Sequence, residues 1–276
     1  MLLDFTYYNK SVDDLILPTQ QATSSGFTNY WLNAAEIENT GFEIGLDLTP
    51  VESEMLTWNS RISFWKNNAE VTRLDVPAFN TGAFGATLGT YRIETGKSPT
   101  QLVGRPVVEG VPTVWGDAEP DFQTSFLNTF LVGGFEFSFL VHWKKGGDNV
   151  NLTTLLSDLF GTSPDFDKTN LDPAGAMSNG DYRLANLGVS AQPWVESAAY
   201  VRVREIALSY KIPRTVLGDI ADVKVGVSGR NLLNWFDYNS YDPEVSNFGT
   251  GAISSAVEVT PFPSAKSVFF NLRATF

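Results

Sequence analysis

A chain of 276 residues with 31 acidic and 19 basic side chains carries a formal charge of -12, one His and no Cys. That balance argues against nucleic acid as a partner, and the missing Cys removes disulfides, thiolate metal sites and a Cys nucleophile. The longest unbroken apolar run, Ala198 to Val201, falls far short of the roughly 18 residues a membrane helix needs, while a mean hydropathy of -0.08 still allows a membrane barrel. Met1-Leu2-Leu3-Asp4 has no basic n-region and no apolar h-region, so no signal peptide is expected. The chain opens inside a strand, as a piece with its upstream part missing would.

Alternation of apolar and polar residues predicts about eight long antiparallel strands. The first covers about Leu2 to Asn9, with Leu3, Phe5 and Tyr7 on one face, and a small polar loop follows. The second runs from about Asn33 to Leu48, where Phe42, Ile44, Leu46 and Leu48 oppose Glu43, Gly45 and Asp47. Pro50 makes a short turn. The third extends from about Met55 to Val71, with Leu56, Trp58, Ile62 and Phe64 opposing Thr57, Asn59, Arg61 and Ser63. Asp75 to Pro120 is read as a long connection rich in Gly and Pro.

The fourth strand, about Asp121 to Leu131, has an ambiguous face, because Phe122, Phe126 and Phe130 share parity with Thr124 and Asn128. Val132-Gly133-Gly134 closes a tight hairpin. In the fifth strand Phe135, Phe137, Phe139 and Val141 oppose Glu136, Ser138 and His142. Gly146 to Ala198 is read as a second long loop. The sixth strand, Tyr200 to Lys211, changes phase between Val203 and Ile206, which predicts a β-bulge near Arg204-Glu205. A short turn over Ile212 to Ala221 leads to the seventh, where Val223, Val225 and Val227 oppose Lys224, Gly226 and Ser228. A third long loop spans Phe236 to Ser264.

The last strand places Val268, Phe270, Leu272, Ala274 and Phe276 on one face, and the chain ends on that aromatic residue. A terminal Phe on a lipid-facing strand is an interfacial anchor, and these five residues are expected to form the strand recognised during barrel assembly. Long and short connections alternate. If the short turns are periplasmic, the last strand ends on that side.

Little points to chemistry. His142 shares parity with Glu136 and Ser138, which makes it a polar lumen residue rather than a metal ligand. Asp117, Glu119 and Asp121 could hold a hard cation such as calcium, but their spacing does not match an EF-hand loop, and a solvated loop edge is favoured. No GxSxG and no phosphate loop occurs, so no catalytic residue, cofactor or metal is expected and the chain is read as no enzyme. Trp115, Trp143, Trp194, Trp235, Tyr238 and Tyr241 fall at strand ends or in loops. They could contact substrate by stacking on sugars; the favoured alternative is the aromatic girdle of a membrane barrel. Pro243 restricts Asp242 to extended geometry, and Tyr241-Asp242-Pro243-Glu244 is expected to be a structural loop clamp.

Four segments together carry a resemblance. AEIENTGFEIGLDL is similar to the ENxGxE strand of TonB-dependent outer-membrane receptors. AEPDFQTSFLNTFLVGGFEFSFLVHWKKGGDNVN, AYVRVREIALSYKIP and SGRNLLNWFDYNSYDPEVS resemble segments of the SusC/RagA branch of those receptors. The resemblance covers most of Asn33 to Phe276. It implies a barrel of about 22 strands with an N-terminal plug in its lumen. Residues 1–276 would match only the C-terminal strands, without plug, energy-coupling box or signal peptide. It further implies a cell outer membrane location and import of a large nutrient, often a glycan or peptide. The implied partners are the lipid bilayer, a SusD-like lipoprotein cap and the TonB energy-coupling protein. An Asp- and Gly-rich insertion that many members carry is missing between Val111 and Pro120, which puts any associated ion site in doubt. The expected fold is therefore an all-β, antiparallel transmembrane β-barrel fragment. The alternatives are a passive small closed barrel and a soluble β-sandwich carbohydrate-binding domain.

Overall fold

The period-two pattern becomes an eight-stranded antiparallel sheet in the computed structural model, which describes residues 1–20, 23–27, 29–82, 84–217, 220–248 and 255–276. The chain runs through β1 (Leu2–Gln20), β2 (Asn29–Glu52), β3 (Leu56–Leu74), β4 (Phe79–Thr81), β5 (Thr90–Ile93), β6 (Gln101–Val108) and β7 (Val111–Asp117). It continues with β8 (Pro120–Val132), β9 (Phe135–Gly146), β10 (Asp148–Asn151), α1 (Leu152–Leu159), α2 (Asn179–Ala185) and β11 (Val195–Ser197). The last elements are β12 (Tyr200–Ile212), β13 (Asp222–Phe236), β14 (Val257–Glu258) and β15 (Ser267–Thr275). The large sheet has the order β1-β2-β3-β8-β9-β12-β13-β15.

Register gives this sheet two unlike faces. Leu3 pairs with Leu46, Leu46 with Ile62, Ile62 with Phe126, Phe126 with Val141, Val141 with Val203 and Val203 with Leu233. A second apolar row joins Trp58, Phe130, Phe137, Leu208, Val227 and Phe270. The aromatic members stack, as Trp58 does on Phe130 at 5.5 Å between ring centroids and Phe42 on Phe64 at 5.6 Å, contacts worth about 0.5–1.5 kcal/mol each beyond burial. The same face stays exposed, Phe270 by 86% and Leu272 by 74%. In a sandwich it would be covered by a second sheet. The opposite face carries Glu43, Arg61, Trp65, Ser125, His142, Lys224 and Arg273.

The bulge lies where the phase change predicts it: β12 shifts register between Val203 and Glu205 against both neighbours. The extra residue keeps Val201 and Val203 on the apolar face together with Ile206 and Leu208. The ambiguity in β8 resolves through hydrogen bonds. Thr124 and Asn128 do lie on the apolar face, but Thr124 Oγ1 donates to the Ser63 carbonyl at 2.9 Å and Trp58 Nε1 donates to Asn128 Oδ1 at 3.0 Å. Their polar atoms are therefore paired. On the polar face Tyr8 lies across Gly41 and donates to Asn67 Oδ1 at 2.9 Å. A Cβ at Gly41 would collide with the Tyr8 phenol and the Lys66 carbonyl, which is why the ENTGFE segment needs glycine there. Gly133, at φ 57°, opens the two-residue β8–β9 turn.

The structure removes one alternative and corrects one expectation. The sheet is open: among the described residues β1 pairs with β2 alone and β15 with β13 alone. An eight-stranded closed barrel would need β1 to pair with β15, so that alternative fails. The segments read as long connections are also structured. The β3–β8 segment forms a four-stranded sheet, β4-β5-β6-β7, and parts of the other two join in a three-stranded sheet, β11-β10-β14. Tyr91, Leu102, Val150, Leu152, Leu155, Trp194, Ala256 and Val257 form a buried core shared by all three segments, here called the cap. Strands β1 to β3 have 19, 24 and 19 residues, against about 9–11 needed to span a bilayer. They run on beyond it at the cap end. At the other end Thr275 pairs with Asp222, beside the short β12–β13 turn.

Candidate functional site at the cap end of the sheet

Two arginines of the VRVRE segment meet the YDPE segment. Arg202, on the polar face of β12, is fully buried. Its Nη2 lies 2.6 Å from Asp242 Oδ1 and its Nη1 lies 2.5 Å from Glu244 Oε2. Arg204 Nη1 donates to the same Glu244 oxygen at 2.6 Å, and its Nη2 donates to His142 Nδ1 at 2.8 Å. Asp242 also accepts from the Ser264 hydroxyl, and Asn149 Nδ2 donates to the Pro243 carbonyl at 2.7 Å. The expected loop clamp now has a cause. Asp242 and Glu244 are the counter-charges of two arginines on the sheet, and a tight turn through Pro243 and Glu244, in which the Val245 N–H donates to the Asp242 carbonyl at 3.3 Å, brings both carboxylates to them. Burial alone would raise the Glu244 carboxyl. The guanidiniums of Arg204 and Arg202 outweigh it and hold the group below its ordinary range.

A second buried ion cluster braces the cap. Arg183 of α2 is fully buried and grips Asp158 at 2.6 Å through Nε and 2.8 Å through Nη2. It also reaches Asp165 at 3.0 and 2.8 Å. The helices that position these groups begin on side-chain caps: Asn151 accepts from the Thr154 N–H and Ser178 from the Asp181 N–H.

The sequence candidates divide. Trp194 has 0% exposure and Tyr238 is buried. Their rings are packed by protein, which leaves no face for a sugar and corrects their reading as substrate contacts. Trp235 pairs with Val201, and Val201 with Trp143. Both tryptophans thus sit on the apolar face where the sheet meets the cap, the place of an aromatic girdle. Trp115 is half-buried and donates through Nε1 to the Arg105 carbonyl at 2.9 Å. Tyr241 is exposed at the mouth. His142 faces the polar side, with Trp65 stacked on it at 5.6 Å. Trp65 is the lumen-face aromatic that the sequence reading passed over, although its parity with Arg61 and Ser63 marks its face. It lines a polar-face cavity of about 490 Å³ with His142, Arg204 and Arg230.

The acidic trio is engaged. Asp117 accepts from the Thr100 hydroxyl at 2.7 Å and the Glu119 N–H at 2.9 Å, and Glu119 accepts from the Ala69 N–H at 3.0 Å. Among the described residues no group of three or more His, Asp and Glu is arranged to hold a metal ion.

No protein-family model matches the chain. Curated relatives do. TonB-dependent receptor P26 of Formosa agariphila is 25% identical over 99% of this chain and 32% of its own length. TonB-dependent receptor P3 of the same organism is 23% identical over 88% of this chain and 29% of its own length. The resemblance to TonB-dependent receptors holds along nearly the whole chain. This chain spans about a third of the length of those receptors. The fold agrees: the RagAB peptide transporter superposes with a TM-score of 0.72 at 17% identity, over 99% of this chain and 33% of that one. Its closed-closed state gives 0.70 at 16% identity. The receptor likeness carries with it an outer-membrane location and an antiparallel barrel wall.

Proposed function

We propose that this chain forms the C-terminal part of the barrel wall and the vestibule of a TonB-dependent importer of large nutrients of the glycan or peptide class. The observation that carries the reading is the two-sided open sheet. Apolar rows cross it on one face, polar side chains line the other, and among the described residues β1 and β15 leave unpaired edges. In hydrocarbon each unpaired backbone group costs several kcal/mol, so about five per edge would exceed the 5–15 kcal/mol stability of a typical domain. Further strands that close the barrel remove this cost. A TonB energy-coupling protein, acting through a plug in the lumen, and a SusD-like lipoprotein over the cap are the proposed partners. The chain's own role is wall and mouth rather than catalysis.

Deleting the gene and supplying oligosaccharide or oligopeptide pools as the only carbon source tests the reading. Growth is expected to fail on at least one pool and to return with the full-length gene. Unchanged growth on every pool that the parent strain uses would count against import.

A further inference from the structure

The apolar face of the sheet ends, toward the cap, at a belt where Phe122 stacks on Phe64 at 5.3 Å between ring centroids and meets Trp143 edge-on at 5.1 Å. Such belts sit at the headgroup level of a bilayer. Directly on the cap side of the belt the same face carries two exposed lysines. Lys66 keeps the parity of Phe64 and pairs with Phe42, while Lys145 keeps the parity of Trp143 and pairs with Phe122. Because Trp65 pairs with Gln123, the two lysines flank Phe122 from β3 and β9, two strand spacings or about 10 Å apart.

Among the described residues neither lysine side chain has a hydrogen bond or an ion pair. Other cations of the sheet do: Arg61, Arg73, Lys211, Lys224 and Arg230 each reach a carboxylate. Acidic groups are not scarce, with 31 of them against 19 basic ones in the chain, but they lie elsewhere. Asp121 packs against Gly146. Glu38 and Glu70 share the outward face and pair with each other, four residues or about 13 Å nearer the cap. The patch lies on β3, β8 and β9, inside the sheet and away from both open edges, so further strands that close the barrel leave it unchanged.

We propose that Lys66 and Lys145 hold the phosphate of a lipid headgroup in the cap-side leaflet, whose acyl chains lie against Phe64, Phe122 and Trp143. The choice of partner follows from charge and height. Lysine stems lie along the aromatic surface while their ammonium groups reach the headgroup layer, and the flexible stems let the two ammoniums converge over Phe122. Two unpaired ammoniums beside an apolar belt complement a phosphate that carries hydrocarbon chains. Glu38 and Glu70 repel phosphate and set the outer edge of the site. The inference rests on the membrane-wall reading above.

Val201 pairs with Trp143 on the same face, so a fluorophore at Val201→Cys reports on the patch from the neighbouring strand. The labelled full-length protein is placed in phosphatidylcholine bilayers that contain, at equal mole fraction, either phosphatidic acid or phosphatidylcholine with a nitroxide on its acyl chain. Quenching by the phosphatidic acid is expected to be about fivefold the stronger. Lys66→Gln and Lys145→Gln together should bring the two lipids level, whereas Lys66→Arg with Lys145→Arg should keep the preference. Millimolar inorganic phosphate should leave it in place; loss of the preference there would assign the lysines to free phosphate and overturn the lipid site. Equal quenching by the two lipids overturns the proposal and leaves the membrane wall standing, as does a preference that survives the double glutamine variant. Absence of quenching by both would overturn the wall and this site with it. Should the double variant not assemble, the two-lipid comparison decides alone.

Discussion

Replacing Arg202 with Ala is expected to cost about 3–5 kcal/mol and to free the segment around Tyr241–Glu244 from the sheet. The size follows from burial. Arg202 is shut off from water between Asp242 and Glu244. Without it, Asp242, itself 3% exposed, is left in a dry place with the Ser264 hydroxyl as its remaining side-chain partner. An uncompensated buried carboxylate costs far more than a broken surface bridge, which is worth about 0–1 kcal/mol. Glu244 is cushioned, because Arg204 still reaches it. Asp242→Asn in the Arg202→Ala background should therefore recover much of the loss. Denaturant unfolding of the four proteins of this double-mutant cycle measures it. A loss below about 1 kcal/mol for Arg202→Ala would show that the clamp is no more than a surface contact.

Arg183→Ala is expected to be at least as damaging to the cap, again about 3–5 kcal/mol. Asp158 and Asp165 would face each other with the guanidinium removed, and Asp158 has no exposed side-chain surface. The variant should also reverse the pH trend. In the parent protein Asp165 is held below its ordinary value, so its contribution is present above about pH 4 and lost as pH falls through the lowered value. Once Arg183 is gone, burial of the Asp165 carboxyl is no longer outweighed, so the variant should gain stability on acidification toward pH 4–5. Lysine restores a charge but not the planar fork that bonds both carboxylates, so Arg183→Lys should recover only part of the loss. Thermal unfolding of the cap across pH 4–8 checks both statements. A variant as stable as the parent, or one that weakens on acidification as the parent does, would contradict them.

The sheet was legible in the sequence because its residues alternate. Phe42 to Leu48, Phe135 to Val141 and Val223 to Ser228 fix the faces of three strands, and the phase slip between Val203 and Ile206 located the bulge. The cap was not legible because its strands obey no alternation. Thr90–Ile93 and the first half of Gln101–Val108 are buried on both sides, and short buried strands among glycines and prolines read as loop. Charge partners hid for a different reason. Arg202 and Asp242 are 40 positions apart, and only the return of the chain over the sheet brings them together. The YDPE segment was visible as a restricted, acidic turn, but its purpose needed the location of its arginines. The aromatic candidates misled because residue type alone does not tell a packed ring from an exposed one: Trp194 belongs to the core, and Trp235 takes the apolar parity of β13.

The chain has no Cys, which allows the most direct test of the two-faced wall. Single substitutions Leu272→Cys and Arg273→Cys place thiols on opposite faces of β15, and Val225→Cys and Lys224→Cys do the same on β13. In the full-length protein in bilayers, a fluorophore at Leu272→Cys or Val225→Cys should be quenched by brominated acyl chains, and those thiols should resist a charged, water-soluble maleimide. Arg273→Cys and Lys224→Cys should give the opposite result. Equal labelling of both faces from water, with no quenching by lipid at Leu272→Cys or Val225→Cys, would contradict a membrane wall.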